Sequence, residues 1–329
     1  MPGTFIISFD CEGKWGISHH LSDGLRVALT NANLNKTYEH LLELLDRHNI
    51  KATFAFVGAF TMSIEEYFAH QDLFADVWLN GKSWLESFKQ EAALQCFEGW
   101  LNPTAFKLVA QESQHEIAAH GFTHVPLIEF FVSREEFLRE MAALQRISSF
   151  RNRAEMTFVY PINMIGYTEE LKRAGFIGYR EVFLKPNLST NRLIKYFDKI
   201  RNVCVELNVK QQSQPHPPAE TLVRIPSGFV LTWLYGLKKQ MPASLIIQRW
   251  KNIIADAVSN NRVVHLYTHP HNFITGNRMY EILAEILHLI EQRQRRGEII
   301  NLTQKEYVKA ITQKTISLNA MPLTQGLSS

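Results

Sequence analysis

Short apolar segments alternate with amphipathic helical patterns along most of this chain. Strands are predicted at residues 4–9, 51–57, 116–119, 156–160, 177–180, 202–207, 222–225, 262–269 and 298–302. Helices are predicted at residues 34–48, 133–147, 168–175, 189–200, 244–258 and 278–296. Parallel strands need a crossover connection that is usually a helix, so this alternation favours an α/β fold with a mostly parallel sheet. Such a sheet either closes like a barrel or stays open.

The 329 residues are expected to form a single domain over residues 1–329. Hydrophobic residues at 46% and charged residues at 20% are typical of a globular protein with a sizeable core. Residues 60–112 are rich in aromatic side chains but have no clear strand pattern. They are interpreted as a helical insertion that either walls a substrate cleft or adds a packing layer. Residues 211–218 suit a surface loop, and residues 303–329 are expected to be a C-terminal tail.

The charges and cysteines limit the expected partners and compartment. A formal net charge of +3 is too small to indicate a nucleic acid or an anionic membrane as partner. No apolar run approaches the roughly 20 residues that cross a bilayer, so no membrane span is expected. Cys11, Cys96 and Cys204 are widely separated and follow no metal-binding or disulfide pattern. Together with the lack of a signal-peptide pattern, they favour a cytoplasmic location. The oligomeric state is not indicated.

Two short polar stretches follow predicted strands and carry the chemistry. His120 and His124 come directly after the third strand, and neutral imidazole is the commonest protein ligand for zinc-like metals. Asp10 and Glu12 follow the first strand and share one face of it, because side chains two apart in a strand point the same way. Such a set forms a hydrolytic metal site with one carboxylate left as a base. The alternative is that the histidine pair is merely solvated or packed in the core.

A third stretch ends the predicted strand 262–269 with His269. In parallel barrels and in open parallel sheets, the functional groups lie at the carboxyl ends of the strands. We therefore expect Asp10, His120 and His269 to converge there, although they are far apart in the chain. For His269, a core histidine with satisfied hydrogen bonds is the alternative.

Four motifs in this order resemble those of the polysaccharide deacetylase family, also known as the NodB homology domain or carbohydrate esterase family 4. They are residues 8–12 (SFDCE), 120–124 (HGFTH), 158–161 (FVYP) and 266–269 (LYTH). The resemblance spans residues 5–272 and is to the Asp-Xaa-Glu subtype. It implies a distorted, incomplete (β/α) barrel and the hydrolysis of an N-acetyl group on an amino sugar.

The resemblance also implies roles for individual residues. One divalent metal ion is expected on Glu12, His120 and His124, with zinc as the first choice and iron, manganese or cobalt also suited to these ligands. Asp10 is the implied general base. His269 is the implied general acid, because an imidazole can protonate the departing nitrogen near neutral pH. The substrate is expected to contact Trp15, Tyr160, Pro161, His271 and Asn272. His271 is also the rival of His269 as acid.

The third motif departs from the family pattern. Related members carry an arginine near the Tyr-Pro step, where this chain has Ile162 after Tyr160 and Pro161. Arg180, at the end of the next strand, is expected to replace it as a catalytic residue by orienting Asp10. The alternative for Arg180 is an ordinary surface salt bridge.

Three functions remain open on this basis. The first is a metal-dependent hydrolase that deacetylates an amino sugar in an intracellular glycan precursor or polysaccharide. The second is a C–N hydrolase that acts on a non-sugar amide or formamide. The third is a non-catalytic barrel that binds a glycan or a protein.

Overall fold

The computed structural model of this protein describes residues 2–79, 81–182 and 222–319. The helix expected at 189–200, the strand at 202–207 and the loop at 211–218 lie outside these residues. Every described helix is too short or too polar to cross a bilayer.

Each predicted strand that lies within the described residues is present, three further two-residue strands were not predicted, and all but two of the strands belong to one sheet. They are β1 (Gly3–Cys11), β2 (Thr53–Phe56), β3 (Trp78–Leu79), β4 (Lys82–Ser83), β5 (Glu116–Ala119), β6 (Thr157–Phe158), β7 (Gly178–Arg180), β8 (Val223–Ile225), β9 (Phe229–Val230), β10 (Val263–Thr268) and β11 (Ile299–Asn301). The sheet has the order β8-β7-β6-β5-β2-β1-β10-β9, with β11 also paired to β1, and each described pair in it is parallel. The predicted parallel sheet is confirmed.

Helices connect the strands and cover the sheet. They are α1 (Asp23–Ala28), α2 (Asn31–Arg47), α3 (Ile64–Ala69), α4 (Glu86–Ala93), α5 (Pro103–Gln111), α6 (Arg134–Arg146), α7 (Thr168–Arg173), α8 (Ala243–Asn260), α9 (Arg278–Arg295) and α10 (Gln304–Asn319). Helix α6 begins after a capping box, in which Ser133 and Glu136 each bond the other's backbone N–H. Helix α7 begins at Thr168, and Tyr167 occupies its cap position in a left-handed conformation.

The sheet is curled into an incomplete barrel, as expected. In the strand order, β7 lies four places from β1, and neighbouring strands are about 4.8 Å apart, so a flat sheet would separate them by about 19 Å. Instead Arg180 at the end of β7 donates a 2.7 Å hydrogen bond to Asp10 on β1. No pairing joins the terminal strands β8 and β9 in the described part of the chain, so the barrel stays open there.

The segment 60–112 contains helices α3, α4 and α5, as expected, but also a short antiparallel hairpin of β3 and β4. Strands of two residues carry no periodic signal, which is why the sequence does not reveal them. The aromatic side chains of this segment pack on Trp15, whose ring centroid lies 4.8 Å from that of Phe88 and 5.0 Å from that of Trp100. None of its described residues lines the cavity described below, and many of its aromatic side chains are buried in the core, which favours the packing layer over the cleft wall.

The expected tail 303–329 begins instead with helix α10. Thr303 and Glu306 form a second capping box, because each side chain accepts a hydrogen bond from the other's backbone N–H. Tyr307 and Val308 are buried against the sheet. This capping signature is present in the sequence and predicts the start of a helix that the tail interpretation missed.

Candidate active site

The carboxyl ends of the strands open into a cavity of about 340 Å³. The predicted site residues that line it are Asp10, Glu12, His120, His124, Tyr160, His269, His271 and Asn272. Arg180, Pro161 and Trp15 are not among its lining residues. The convergence expected at this edge of the sheet is therefore present.

Strand register brings the acidic motif and the histidine motif to the same level. Asp10 is in register with Ala55 on β2, and Ala55 is in register with Ala118 on β5. Glu12 and His120 lie two residues beyond Asp10 and Ala118, so they lie side by side across the end of β2. The distance from His120 Nε2 to Glu12 Oε1 is 2.9 Å.

Glu12, His120 and His124 form a buried cluster of potential metal ligands. The Nε2 atom of His124 lies 3.0 Å from the same Glu12 oxygen that His120 approaches. One ligand atom from each residue lies within 4.8 Å of the others. Such close approach of three ligand atoms suits a single small cation bound between them.

The hydrogen bonds of this cluster also fit a metal ion. His120 Nδ1 lies 2.7 Å from the carbonyl oxygen of Val159 and donates to it, so in the neutral ring Nε2 presents a lone pair to Glu12. Two lone pairs at 2.9 Å repel each other unless a cation or a proton lies between them. Both ring nitrogens of His124 are buried and make no hydrogen bond within the described residues. The residues present therefore fit a divalent ion held by Glu12, His120 and His124.

Asp10 is held by a two-pronged ion pair with Arg180. Arg180 donates from Nη1 to Oδ1 and from Nη2 to Oδ2 of Asp10, both at 2.7 Å. The guanidinium is 2% exposed and its carbon lies 4.3 Å from the centroid of the Tyr267 ring. This planar fork fixes the carboxylate in rotation as well as in position. The surface salt bridge, the alternative for Arg180, is wrong.

A second row of side chains holds Arg180 itself. Its Nη1 also donates to Ser8 Oγ at 3.2 Å, and Ser8 Oγ lies 2.9 Å from His265 Nε2. His265 Nδ1 lies 2.9 Å from the Pro226 carbonyl oxygen, which accepts its proton, so Nε2 accepts from the Ser8 hydroxyl. Burial lowers the pKa of His265 to about 3, which keeps the ring neutral in this chain of hydrogen bonds.

The departure at the third motif has a structural counterpart. Ile162 and Asn163 both have left-handed backbone angles, with φ of 54° and 56°. This conformation is strained for a β-branched residue such as Ile162. The turn presents Asn163 Oδ1 to Arg180 Nη2 at 3.0 Å. A neutral acceptor near the Tyr-Pro step thus contacts an arginine that comes from the next strand.

The two carboxylates at the site are both held in their charged form. Burial raises the pKa of Asp10, but the charge and hydrogen bonds of Arg180 outweigh it and leave this pKa below its ordinary value. Burial also raises the pKa of Glu12, but the surrounding histidines outweigh this effect and leave the pKa well below its ordinary value. Burial lowers the pKa of His124, which favours the neutral form that binds a metal.

His269 and His271 lie next to each other, with ring centroids 5.2 Å apart. The side chain of His269 is 24% exposed, and its Nε2 lies 3.8 Å from Asp10 Oδ2 and 3.6 Å from Glu12 Oε1. His271 is buried against the edge of Trp233, and burial lowers its pKa to about 3. Both rings line the cavity, but His269 is the more exposed of the two, and its Nε2 lies within 3.8 Å of both carboxylates.

The residues expected to contact the substrate divide into two groups. Tyr160, His271 and Asn272 line the cavity, although the Tyr160 hydroxyl already donates to the Gly166 carbonyl oxygen at 2.7 Å. Pro161 is buried behind the cavity. Trp15 lies in the core with its Nε1 donating to the Trp100 carbonyl oxygen at 2.8 Å, so its position does not support contact with a substrate.

Other lining residues carry no sequence signal that points to a site. The short turn after β9 contributes Thr232 and Trp233, and the 3₁₀ helix Gly236–Gln240 contributes Lys238. Trp233 Nε1 donates to Thr275 Oγ1 at 3.2 Å, and its ring stacks on that of Tyr235. An aromatic pair spaced two residues apart, Trp-Leu-Tyr, is the nearest available hint, and it is common in ordinary cores.

Comparison with known proteins finds one matching family model. The family model described as polysaccharide deacetylase matches residues 23–181, just under half of the chain. Over these residues the chain is similar to the polysaccharide deacetylases. The matched region includes His120, His124 and Arg180 but begins after Asp10 and Glu12. The predicted family resemblance is confirmed, and the match supports a deacetylase function.

Several solved structures have a fold similar to that of this chain. A Mycobacterium smegmatis protein assigned to the polysaccharide deacetylases has a TM-score of 0.53 at 14% sequence identity, covering 100% of this chain and 96% of its own. Another protein so assigned, from Pseudomonas aeruginosa PAO1, has a TM-score of 0.52 at 11% identity, covering 94% and 90%. The Puue allantoinase has a TM-score of 0.50 at 11% identity, covering 96% and 90%. No curated protein sequence matches this chain.

Proposed function

We propose that this chain is a metal-dependent hydrolase that removes the N-acetyl group from an amino sugar. The observation that carries the proposal is the meeting of three potential metal ligands with an arginine-bound carboxylate in one cavity. Glu12, His120 and His124 provide the ligands, and Asp10 is held in place by Arg180. Zinc is the first candidate for the ion, because two imidazoles and one carboxylate are a common zinc set with an open position.

Amide hydrolysis adds water across the C–N bond and gives acetate and a free amine. A divalent ion at Glu12, His120 and His124 would supply a Lewis acid for the amide carbonyl and lower the pKa of the attacking water. Asp10 accepts the proton of that water as its oxygen attacks the carbonyl carbon. Arg180 keeps this carboxylate ionised and turned toward the cavity, so that the base needs no reorientation.

The departing nitrogen needs a proton, and we assign His269 as the donor. Its ring is partly exposed to the cavity and lies near both carboxylates, within reach of a substrate bound there. His271 is less suited to the role, because its buried ring has a pKa of about 3 and is neutral near pH 7. Tyr160 and Asn272 line the same cavity and are proposed to contact the substrate.

The proposed substrate is an N-acetylated sugar in an intracellular glycan precursor or polysaccharide. A cavity of about 340 Å³ is at the small end of ligand pockets and suits one sugar residue with its acetamido group. Cys11 and Cys96 are free, and Cys96 is exposed. An exposed thiol is more typical of a reducing compartment than of an oxidising one, which supports the intracellular location.

Metal analysis combined with a substrate panel tests this proposal. The purified protein is expected to hold one divalent ion per chain, and His120→Ala is expected to lose it. Release of acetate is then measured on N-acetylated sugar nucleotides, chito-oligosaccharides, and simple amides and formamides. Acetate from the sugars supports the proposal, while turnover only of the simple amides supports a non-sugar C–N hydrolase. Metal binding with no turnover on any member supports a non-catalytic barrel that binds a glycan or protein.

A further inference from the structure

The loop that carries both histidines, residues 120–124, is fixed through its backbone by three separate parts of the molecule. The carbonyl oxygens of Gly121 and Phe122 accept hydrogen bonds of 2.9 Å from the backbone N–H groups of Gly58 and Ala59, just after β2. The carbonyl oxygen of Thr123 accepts a 2.9 Å hydrogen bond from Trp84 Nε1. The backbone N–H of His120 donates to the Phe56 carbonyl oxygen at 2.8 Å, whereas the N–H groups of Phe122 and Thr123 bind a group on a helix.

Glu140 on α6 takes those donors. Its Oε2 accepts from the backbone N–H of Phe122 at 2.7 Å and of Thr123 at 3.0 Å, and its Oε1 accepts from the Thr123 hydroxyl. The glutamate is 6% exposed, so these three bonds replace its contacts with water. A buried carboxylate that binds two successive N–H groups fixes the direction of the backbone between them.

The two histidines of the loop differ in how their rings are held. His120 donates from Nδ1 to the Val159 carbonyl oxygen, which fixes the ring and leaves Nε2 for a ligand. His124 has no such partner among the described residues, since its buried Nδ1 makes no hydrogen bond. A histidine that binds a metal almost always donates its other N–H to a neighbouring acceptor. The ring of His124 therefore depends on the backbone for its position.

The backbone at His124 is itself unusual. Its φ of 61° lies in the left-handed region, which only a few per cent of non-glycine residues adopt, histidine more often than most. A conformation of this kind persists only when the surrounding structure imposes it. The residue directly before it is Thr123, which donates both its N–H and its hydroxyl to Glu140.

We propose that Glu140 is a positioning residue for His124, replacing through the backbone the second hydrogen bond that the His124 ring does not make with any described residue. This inference rests on the proposed metal site. It assigns to a helix outside the cavity the task of keeping His124 Nε2 within reach of the ion held by Glu12 and His120. Loss of the Glu140 contacts lets the loop relax from its left-handed turn and withdraws one of three ligands.

The test is zinc affinity of the full chain, measured by competition with a chromogenic chelator. Glu140→Gln keeps the size of the side chain but replaces one carboxylate oxygen by an NH₂ group. This group is itself a donor and cannot accept hydrogen bonds from the loop. The variant is expected to weaken zinc binding about 10-fold to 100-fold, the usual effect of losing a partner behind a metal ligand. Thr123→Val removes only the hydroxyl donor and is expected to give a smaller loss in the same direction.

Glu116→Gln is the matched control. Glu116 is also 6% exposed, also accepts from threonine hydroxyls and a backbone N–H, and lies on the strand that leads to His120. The Glu116→Gln variant is expected to have a lower thermal midpoint, as Glu140→Gln does, but an unchanged zinc dissociation constant. Zinc affinity equal to wild type in Glu140→Gln would overturn the inference, as would an equal loss in Glu116→Gln.

A spectroscopic measurement separates position from stability. Cobalt is substituted into the wild type, Glu140→Gln and Glu116→Gln, and the intensity and position of its visible bands report the ligand geometry. Changed bands are expected for Glu140→Gln and unchanged bands for Glu116→Gln; unchanged bands in both overturn the inference. A wild-type protein that binds neither zinc nor cobalt refutes the proposed metal site itself, a result distinct from failure of the role of Glu140.

Discussion

At the amino end of the sheet, the buried carboxylate of Glu116 accepts hydrogen bonds from Thr53, Thr157 and the backbone N–H of Lys305. At the carboxyl end, the buried carboxylate of Asp10 is held by Arg180. Burial raises the pKa of Glu116, and its neutral donors do not reverse this. For Asp10, the guanidinium does reverse it and lowers the pKa.

This difference indicates that the amino end and the carboxyl end of the sheet have different roles. Glu116 on β5 accepts hydrogen bonds from neutral donors on β2, on β6 and at the start of α10. It therefore joins these elements at the amino end of the sheet. A full positive charge beside Asp10 keeps this carboxylate, the proposed base, ionised next to the cavity. In parallel barrels the amino end generally serves stability and the carboxyl end serves chemistry. Substitutions at the two ends are therefore expected to separate activity from stability.

The largest effect on activity is expected for Asp10→Asn. It removes the proposed base without removing a metal ligand, so the maximal rate is expected to fall roughly 10²-fold to 10⁴-fold with metal still bound. The substitution also leaves Arg180 buried without its partner, which costs about 3–5 kcal/mol of unfolding free energy. Acetate release and metal content are measured on protein shown to be folded. An Asp10→Asn protein that keeps its rate refutes the assignment of the base.

The next effect is expected for His269→Ala, at about 100-fold on the maximal rate with metal content unchanged. His269 is partly exposed, so little stability is lost with its ring. His271→Ala is the paired variant, and its loss is expected to be smaller. If the two losses are reversed, the proton donor is His271, two residues further along the chain.

Arg180→Ala is expected to lower the rate by about tenfold to a hundredfold, because the base is then free to rotate. The effect acts through Asp10, so a double-mutant cycle sharpens it. In an Asp10→Asn background, Arg180→Ala is expected to cause no further loss of rate. Unchanged kinetics in the single variant contradict the orienting role, and a full additional loss in the double variant shows that Arg180 acts on the substrate directly.

The smallest effect is expected for His115, at the amino end of the sheet, and concerns the pH dependence of the unfolding free energy. His115 accepts the backbone N–H of Ala52 at Nδ1, and burial lowers its pKa from 6.5 to about 4. The unfolded chain takes up a proton below pH 6.5 while the folded chain stays neutral. The stability that neutral His115 provides is therefore complete above pH 6.5 and is lost as the pH falls toward 4.

His115→Asn keeps an acceptor near the Nδ1 position but does not titrate. Unfolding free energies are measured in urea at pH 7 and pH 5 for both proteins. The variant is expected to lose less stability on acidification, by on the order of 1 kcal/mol per pH unit. The histidines His265 and His271 remain in both proteins, so the difference isolates His115. Equal slopes would show that His115 is protonated alike in both states.

Much of the fold follows from the sequence alone. The apolar segments that became β1, β5 and β10 have clear ends, and the helices between them impose parallel pairing. Because parallel strands end at one edge, the meeting of Asp10, His120 and His269 also follows from local patterns. The chemistry proposed for these three residues comes from their resemblance to the family motifs. These properties depend on residues that are close together in the chain, so the sequence determines them.

The tertiary structure, and not the local sequence, decides which partner each of these side chains contacts. The partnership of Arg180 with Asp10 depends on how strongly the sheet curls, which no segment specifies by itself. Glu140 reaches the histidine loop because α6 packs at one particular depth behind it. Trp15 turns into the core because the aromatic layer of 60–112 offers it more apolar contact than the cavity does. Curvature and packing depth are set by the whole core at once, and local periodicity carries no record of them.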